Sequence, residues 1–180
     1  MIFPLKERQE RISDAFGFGH FGASRIGRKH IGVDYVVKVG ETVNSPINGS
    51  ISKHGYVYNG DLNQRYIEIK SNNYGTDKLK IRIFYVTQMV EVGTFVEKGD
   101  KIALGGDISS KYSTFDKFMK NHIHFETIKN GKHIDSSDLF SSLDDAPLLP
   151  EPKTTKKKIN LLLLILVPTF IIVIYLILRK

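Results

Sequence analysis

The chain has 180 residues, no cysteine and a formal net charge of +7. The lack of cysteine rules out a disulfide framework, a thiolate metal site and a cysteine nucleophile, so any metal must be held by His, Asp and Glu. Residues 1–150 carry 20 basic and 18 acidic side chains, and residues 151–180 carry six and one; the basicity sits beside a long apolar run, pointing to a membrane and away from nucleic acid.

In chain order, residues 1–14 (MIFPLKERQERISD) read as a short charged helix or a lead-in, and they lack the apolar stretch and cleavage site of a secretory signal. Residues 15–140 are β-rich: short runs heavy in Val, Ile, Tyr and Phe, such as RYIEIKS, KLKIRIFYV and HIHFETIK, are separated by Gly-containing turns. A helical turn is expected only around Tyr112–Lys120. Two segments echo each other, VGETVNSPINGSI (Val39–Ile51) and VGTFVEKGDKI (Val92–Ile102). They predict two strand–turn–strand units and a sheet folded over on itself with internal pseudo-symmetry. Ser141–Lys158, rich in Pro, Ser, Asp and Lys, reads as a semi-extended linker.

Residues 159–180 form the expected anchor. Leu161–Leu178 (LLLLILVPTFIIVIYLIL) has no charge, and at about 1.5 Å per residue it spans ~27 Å, close to a bilayer core. Lys153, Lys156, Lys157 and Lys158 precede it, and only Arg179 and Lys180 follow, so the positive-inside bias puts the N-terminal side in the cytosol. The expectation is a single-pass, tail-anchored protein on an intracellular membrane or a viral envelope.

Two clusters carry chemistry. In NHIHFE (Asn121–Glu126) apolar and polar residues alternate, so His122 and His124 share one face of a strand, about 6.6 Å apart. That spacing is too wide for two ligands of one zinc in a regular strand; it suits one histidine on a metal and one reaching a bound water or substrate. The alternative is an imidazole pair on a solvated sheet face. In KHIGVDY, His30 and Asp34 would stand about 13 Å apart in a straight strand, so they meet at one metal only if the chain bends, which Gly32 permits. His30, Asp34 and one histidine of the pair make three ligands with the fourth position open, as in catalytic zinc sites. His20, His54 and His133 lie in turn-like contexts and read as surface histidines. Glu126 reads either as a charge on the strand surface or as a partner orienting a histidine.

In order, the chain carries Phe16-Gly17, Arg25, His30-Ile-Gly-Val-Asp34, Gly40, Val43, Pro46, Gly49, Tyr85, Val92-Gly93, Lys98-Gly99-Asp100 and His122-Ile-His124-Phe-Glu126. Over residues 15–140 this resembles the lysostaphin/LytM-type zinc endopeptidases. The resemblance implies a mainly β, antiparallel, sandwich-like domain with Zn2+ in a groove, bound by His30, Asp34 and His124. It makes His122 the histidine that polarises water or stabilises the developing oxyanion, and it implies cleavage of peptide bonds, usually in glycine-rich bacterial cell-wall bridges.

One departure stands out. Active members carry a second catalytic histidine in a Y-x-H-L-like segment; here the stretch is FYVTQM, with Thr87 at that position. Threonine cannot titrate near neutral pH, and losing a transition-state donor costs on the order of 100–1000-fold in rate. The leukocyte cell-derived chemotaxin branch is similar in lacking that histidine and acting as a binding ligand. The expected function is thus a membrane-held, zinc-binding module for a peptide or protein, weakly active or inactive; the alternative is an active membrane-anchored zinc endopeptidase. A lipoyl-type carrier hairpin at V-G-x-x-V-x-K-G-D would leave the histidine motifs unexplained.

Overall fold

The computed structural model describes residues 1–71 and 78–140. The expected linker at 141–158 and membrane segment at 161–178 lie outside the described residues; among those described, no helix is long and apolar enough to cross a membrane.

The strands, in chain order, are β1 (Ser13–Asp14), β2 (Gly17–Phe18), β3 (Ser24–Arg25), β4 (Arg28–Lys29), β5 (Val33–Val36), β6 (Thr42–Asn44), β7 (Gly49–Tyr56), β8 (Arg65–Ser71), β9 (Leu79–Phe84), β10 (Val86–Gln88), β11 (Phe95–Val96), β12 (Lys101–Gly105), β13 (His122–Lys129) and β14 (Lys132–Ile134). Two four-residue helices, α1 (Ser109–Tyr112) and α2 (Ser137–Phe140), complete the described elements. The mainly β, antiparallel architecture expected from the sequence is present. A large sheet runs β11-β7-β8-β9-β13-β14, with β5 also on β13, and a second sheet runs β10-β12-β6.

Period-two alternation divides the large sheet into two faces. Ile67, Ile69, Ile81, Ile83, Ile123 and Phe125 point to one face, each fully buried. They share one core with Val43, Val86, Ile102 and Ala103 of the second sheet. Burying each such side chain is worth roughly 1.5–3 kcal/mol, so this layer dominates the stability of the domain. The opposite face carries Asp34, His124, Phe84, Tyr66 and Gly55 in one cross-strand row. The next row is Glu126, Arg82, Glu68 and Lys53. The polar face therefore begins at the histidine motif.

The two echoing segments pair reciprocally. β6, at the start of the first, pairs with β12 at the end of the second, and β11 at the start of the second pairs with β7 at the end of the first. Gly40 and Gly93, both at positive φ, donate across to Gly105 and Ile51.

For residues 1–14 the structure leaves the lead-in and excludes the helix, and the expected helical turn is shifted. Residues 1–14 form no helix: Leu5 is buried, Phe3 stacks edge-on to Tyr35 at 4.8 Å, and the backbones of Gln9 and Pro4 accept hydrogen bonds from Val36 and Asn44. The segment pairs strand groups that would otherwise lack partners, which outweighs its weak helical tendency. The helical turn expected around Tyr112–Lys120 falls earlier, at α1. There the Asp107 carboxylate accepts from Ser109 and Ser110, while the Asn121 side-chain carbonyl accepts from the Ile108 and Ser109 amides. Those acceptors hold the turn's free N–H groups.

Candidate metal centre and cleft

Cross-strand register builds the site. His124 on β13 lies directly opposite Asp34 on β5, so their side chains share a face. His30 precedes β5; its backbone N–H donates to Ala23 and its carbonyl accepts from Gly22. Gly32 lets the intervening chain fold over His124, because a Cβ there would stand 2.6 Å from His124 Cε1 and 2.6 Å from the Phe125 carbonyl oxygen. The bend foreseen at Gly32 exists, but what requires glycine is lack of space.

Three atoms converge. His30 Nε2 is 2.9 Å from His124 Nδ1 and 3.2 Å from Asp34 Oδ1, and His124 Nδ1 is 2.9 Å from Asp34 Oδ1. Bonds of about 2.0–2.1 Å to a tetrahedral ion would separate its ligand atoms by about 3.3 Å, close to this triangle. The outer bonds set the tautomers. His30 Nδ1–H donates to the His20 carbonyl at 2.9 Å, leaving Nε2 as a bare acceptor, and His124 Nε2 faces Glu126 Oε1 at 3.3 Å. Two imidazole lone pairs and a carboxylate oxygen then meet at one point, an arrangement that calls for a cation. His124 shows the same demand. Its burial opposes charge, yet the hydrogen bonds to Asp34 and Glu126 prevail and raise its pKa. Burial likewise works to raise the Asp34 pKa, but its close contacts with the His124 and His30 rings hold it well below the carboxylate range. The donor set fits a divalent metal.

The supporting shell was only partly legible in sequence. Arg11 donates through Nε and Nη2 to Asp34 Oδ2 at 3.2 and 2.7 Å, fixing the carboxylate with Oδ1 turned to the histidines. No local signal marks Arg11, since the contact depends on docking the N-terminal segment. Glu126 is the orienting partner, itself held by His133 at 3.2 Å and Arg82 at 3.7 Å.

His122 shares the cleft. Its Nδ1–H donates to the Lys120 carbonyl at 2.7 Å, so Nε2 is the free acceptor, 3.9 Å from Asp34 Oδ2. Burial is the chief cause of its lowered pKa and keeps the imidazole neutral. Thr87 is elsewhere: it is exposed on β10, opposite Leu104, and does not line the cleft. Tyr85, two residues earlier, does line it. Tyr85 sits at φ 63, a left-handed conformation unusual for a bulky residue, and both Phe84 and Tyr85 face the cleft, which an unbroken strand could not arrange. The Tyr85 hydroxyl is 3.2 Å from that of Tyr58, and burial raises its pKa, so it stays protonated. The cleft encloses about 370 Å³, and His30, His122 and His124 are its lining histidines among the described residues. His20 supplies only its carbonyl, and His54 Nε2 is buried without a partner outside the cleft.

Residues 28–136 of this chain match peptidase family M23. The chain belongs to that family. The chain is 30% identical over 134 residues to an uncharacterized metalloprotease of Haemophilus influenzae, covering 73% of this chain and 25% of the relative. The fold is also that of a zinc-containing peptidase from Vibrio cholerae, at TM-score 0.52 and 22% identity over 82% of this chain and 40% of that one. The solution structure of lysostaphin matches at TM-score 0.55 and 23% identity, over 83% of this chain and 62% of that one. The lysostaphin catalytic domain from Staphylococcus simulans matches at 0.51 and 24%, over 74% and 98%. The M23 domain here is thus zinc metallopeptidase-like, with His30, Asp34 and His124 as candidate metal ligands.

Proposed function

We propose that this M23 domain binds zinc through His30, Asp34 and His124 and holds a peptide in the adjoining cleft, cleaving it slowly or not at all. The observation that carries this reading is that His122 is the one imidazole lining the described cleft outside the metal set, with Tyr85 beside it. When bound, zinc supplies Lewis-acid polarisation of a carbonyl oxygen. His122 Nε2 can accept a proton at neutral pH. The Tyr85 hydroxyl can donate a hydrogen bond but cannot exchange a proton in that range. A cleft with one imidazole outside the metal set, where the family's active members use two, supports binding ahead of turnover.

The second part of the reading concerns location. Residues 161–178 hold the domain at a membrane, and the lysines before that segment favour the cytosolic side. A domain so placed meets peptides or proteins of the cytosol.

The test is the metal content of the full chain beside His30→Ala, followed by binding and cleavage assays with glycine-rich peptides. The expected result is zinc in the wild type, none in the variant, and peptide binding that needs the metal with slow or no cleavage. A folded wild type without zinc would sink the metal reading; rapid cleavage would make the domain an active endopeptidase. Resistance to carbonate extraction, lost on deleting residues 161–178, tests the anchor.

A further inference from the structure

The β3–β4 hairpin at the mouth of the cleft places two arginines directly opposite each other, Arg25 and Arg28. Like charges in a cross-strand pair destabilise a hairpin. The turn between them is only Ile26 and Gly27; Ile26 is fully exposed and Gly27 has φ +72. Nothing in the hairpin's own packing rewards the pairing. Both arginines line the cleft.

Neither has a carboxylate to itself. Arg28 is exposed, and its side chain makes no ion pair or hydrogen bond among the described residues. Arg25 donates to the carbonyls of Phe18 and Ser24, and its guanidinium stays 3.8 Å from Asp34 Oδ2. That oxygen is already taken by Arg11 at 2.7 Å. The other acidic lining residue, Glu126, is engaged by His124, His133 and Arg82. A divalent metal would leave this end of the cleft more positive still. An anion between the two guanidinium groups would resolve the repulsion, and the planar fork of arginine matches a carboxylate.

We infer that the Arg25–Arg28 hairpin is a carboxylate clamp, selecting peptides with an acidic side chain or a free C-terminus beside the metal centre. This rests on the peptide-binding reading above and adds its specificity.

The zinc-loaded full chain in detergent micelles is titrated by calorimetry with acetyl-Gly-Gly-Asp-Gly-amide and its Asn counterpart, and with acetyl-tetraglycine as the free acid and as the amide. In at least one pair the carboxylate form should bind about tenfold tighter. The pair that shows it identifies a side chain or a C-terminus as the source. Arg28→Gln should bring that ratio near one with zinc content unchanged, and Arg28→Lys should keep part of it. Equal affinities within both pairs overturn this inference and leave peptide binding standing. A preference that survives in Arg28→Gln also overturns it, because the carboxylate would then sit on the metal. If none of the four binds, both this inference and the peptide-binding reading fail.

Discussion

The Tyr85 ring stands edge-on to the His122 imidazole, with centroids 5.5 Å apart and planes at 86°. Tyr85, in its left-handed conformation, therefore holds the wall next to the one lining imidazole, among the described residues, that the metal set does not use. Thr87 has no such contact. This relationship predicts which substitution can restore an acid–base pair. Tyr85→His should raise cleavage of a glycine-rich peptide by roughly 100-fold or more, the scale of one transition-state donor. Histidine also tolerates positive φ better than most residues. Thr87→His should leave the rate unchanged; rescue by Thr87→His instead would show that the wrong wall had been identified.

Gly32 should be irreplaceable for metal binding. Its missing Cβ would lie 2.6 Å from the His124 ring and 2.6 Å from a backbone oxygen, and neither can retreat without moving a ligand or β13. Gly32→Ala should lose zinc in a chelator-competition assay, whereas Gly131→Ala, where a Cβ would meet nothing within 4 Å, should keep it at some cost from its φ of +81. Full zinc affinity in Gly32→Ala would refute the steric argument.

Arg11 should matter to folding even without metal. It is 2% exposed and contacts both Asp34, at 2.7 Å, and Asp14, at 2.6 Å. Removing one partner of a buried ionic group strands the others, typically at about 3–5 kcal/mol. Arg11→Met should show a loss of that order in urea unfolding of the metal-free chain. A loss below ~1 kcal/mol, the worth of an exposed pair, would mean that Arg25 had taken over Asp34.

The charged row beside the cleft predicts an acid-sensitive contribution. Burial opposes ionisation of Glu68, but bonds from Arg82 Nε at 2.7 Å and Ser52 Oγ at 2.8 Å outweigh it and set its pKa below 4.5. A carboxylate with a depressed folded pKa adds stability that is complete above the unfolded value and disappears as pH falls through the folded value. The stability gap between wild type and Glu68→Gln should therefore be constant above pH 4.5 and close at lower pH. A gap independent of pH would show that Glu68 contributes by packing alone.

The chain's own order of residues determined what is local. Alternation in HIHFE placed His122 and His124 on one face and Ile123 and Phe125 on the other, because side chains along a strand alternate whatever the strand pairs with. The spacing in HIGVD marked a bend, and the paired V-G-x-x-V segments marked two units that the structure joins reciprocally. Tertiary structure decided the rest. Asp34 meets His124 through the register of β5 on β13, a pairing between residues 90 positions apart that residue type does not encode. Arg11 reaches Asp34 only because the N-terminal segment docks on the sheet instead of forming a helix. Tyr85 enters the cleft beside Phe84 through one backbone dihedral, where unbroken alternation would have put it on the core face with Ile81 and Ile83.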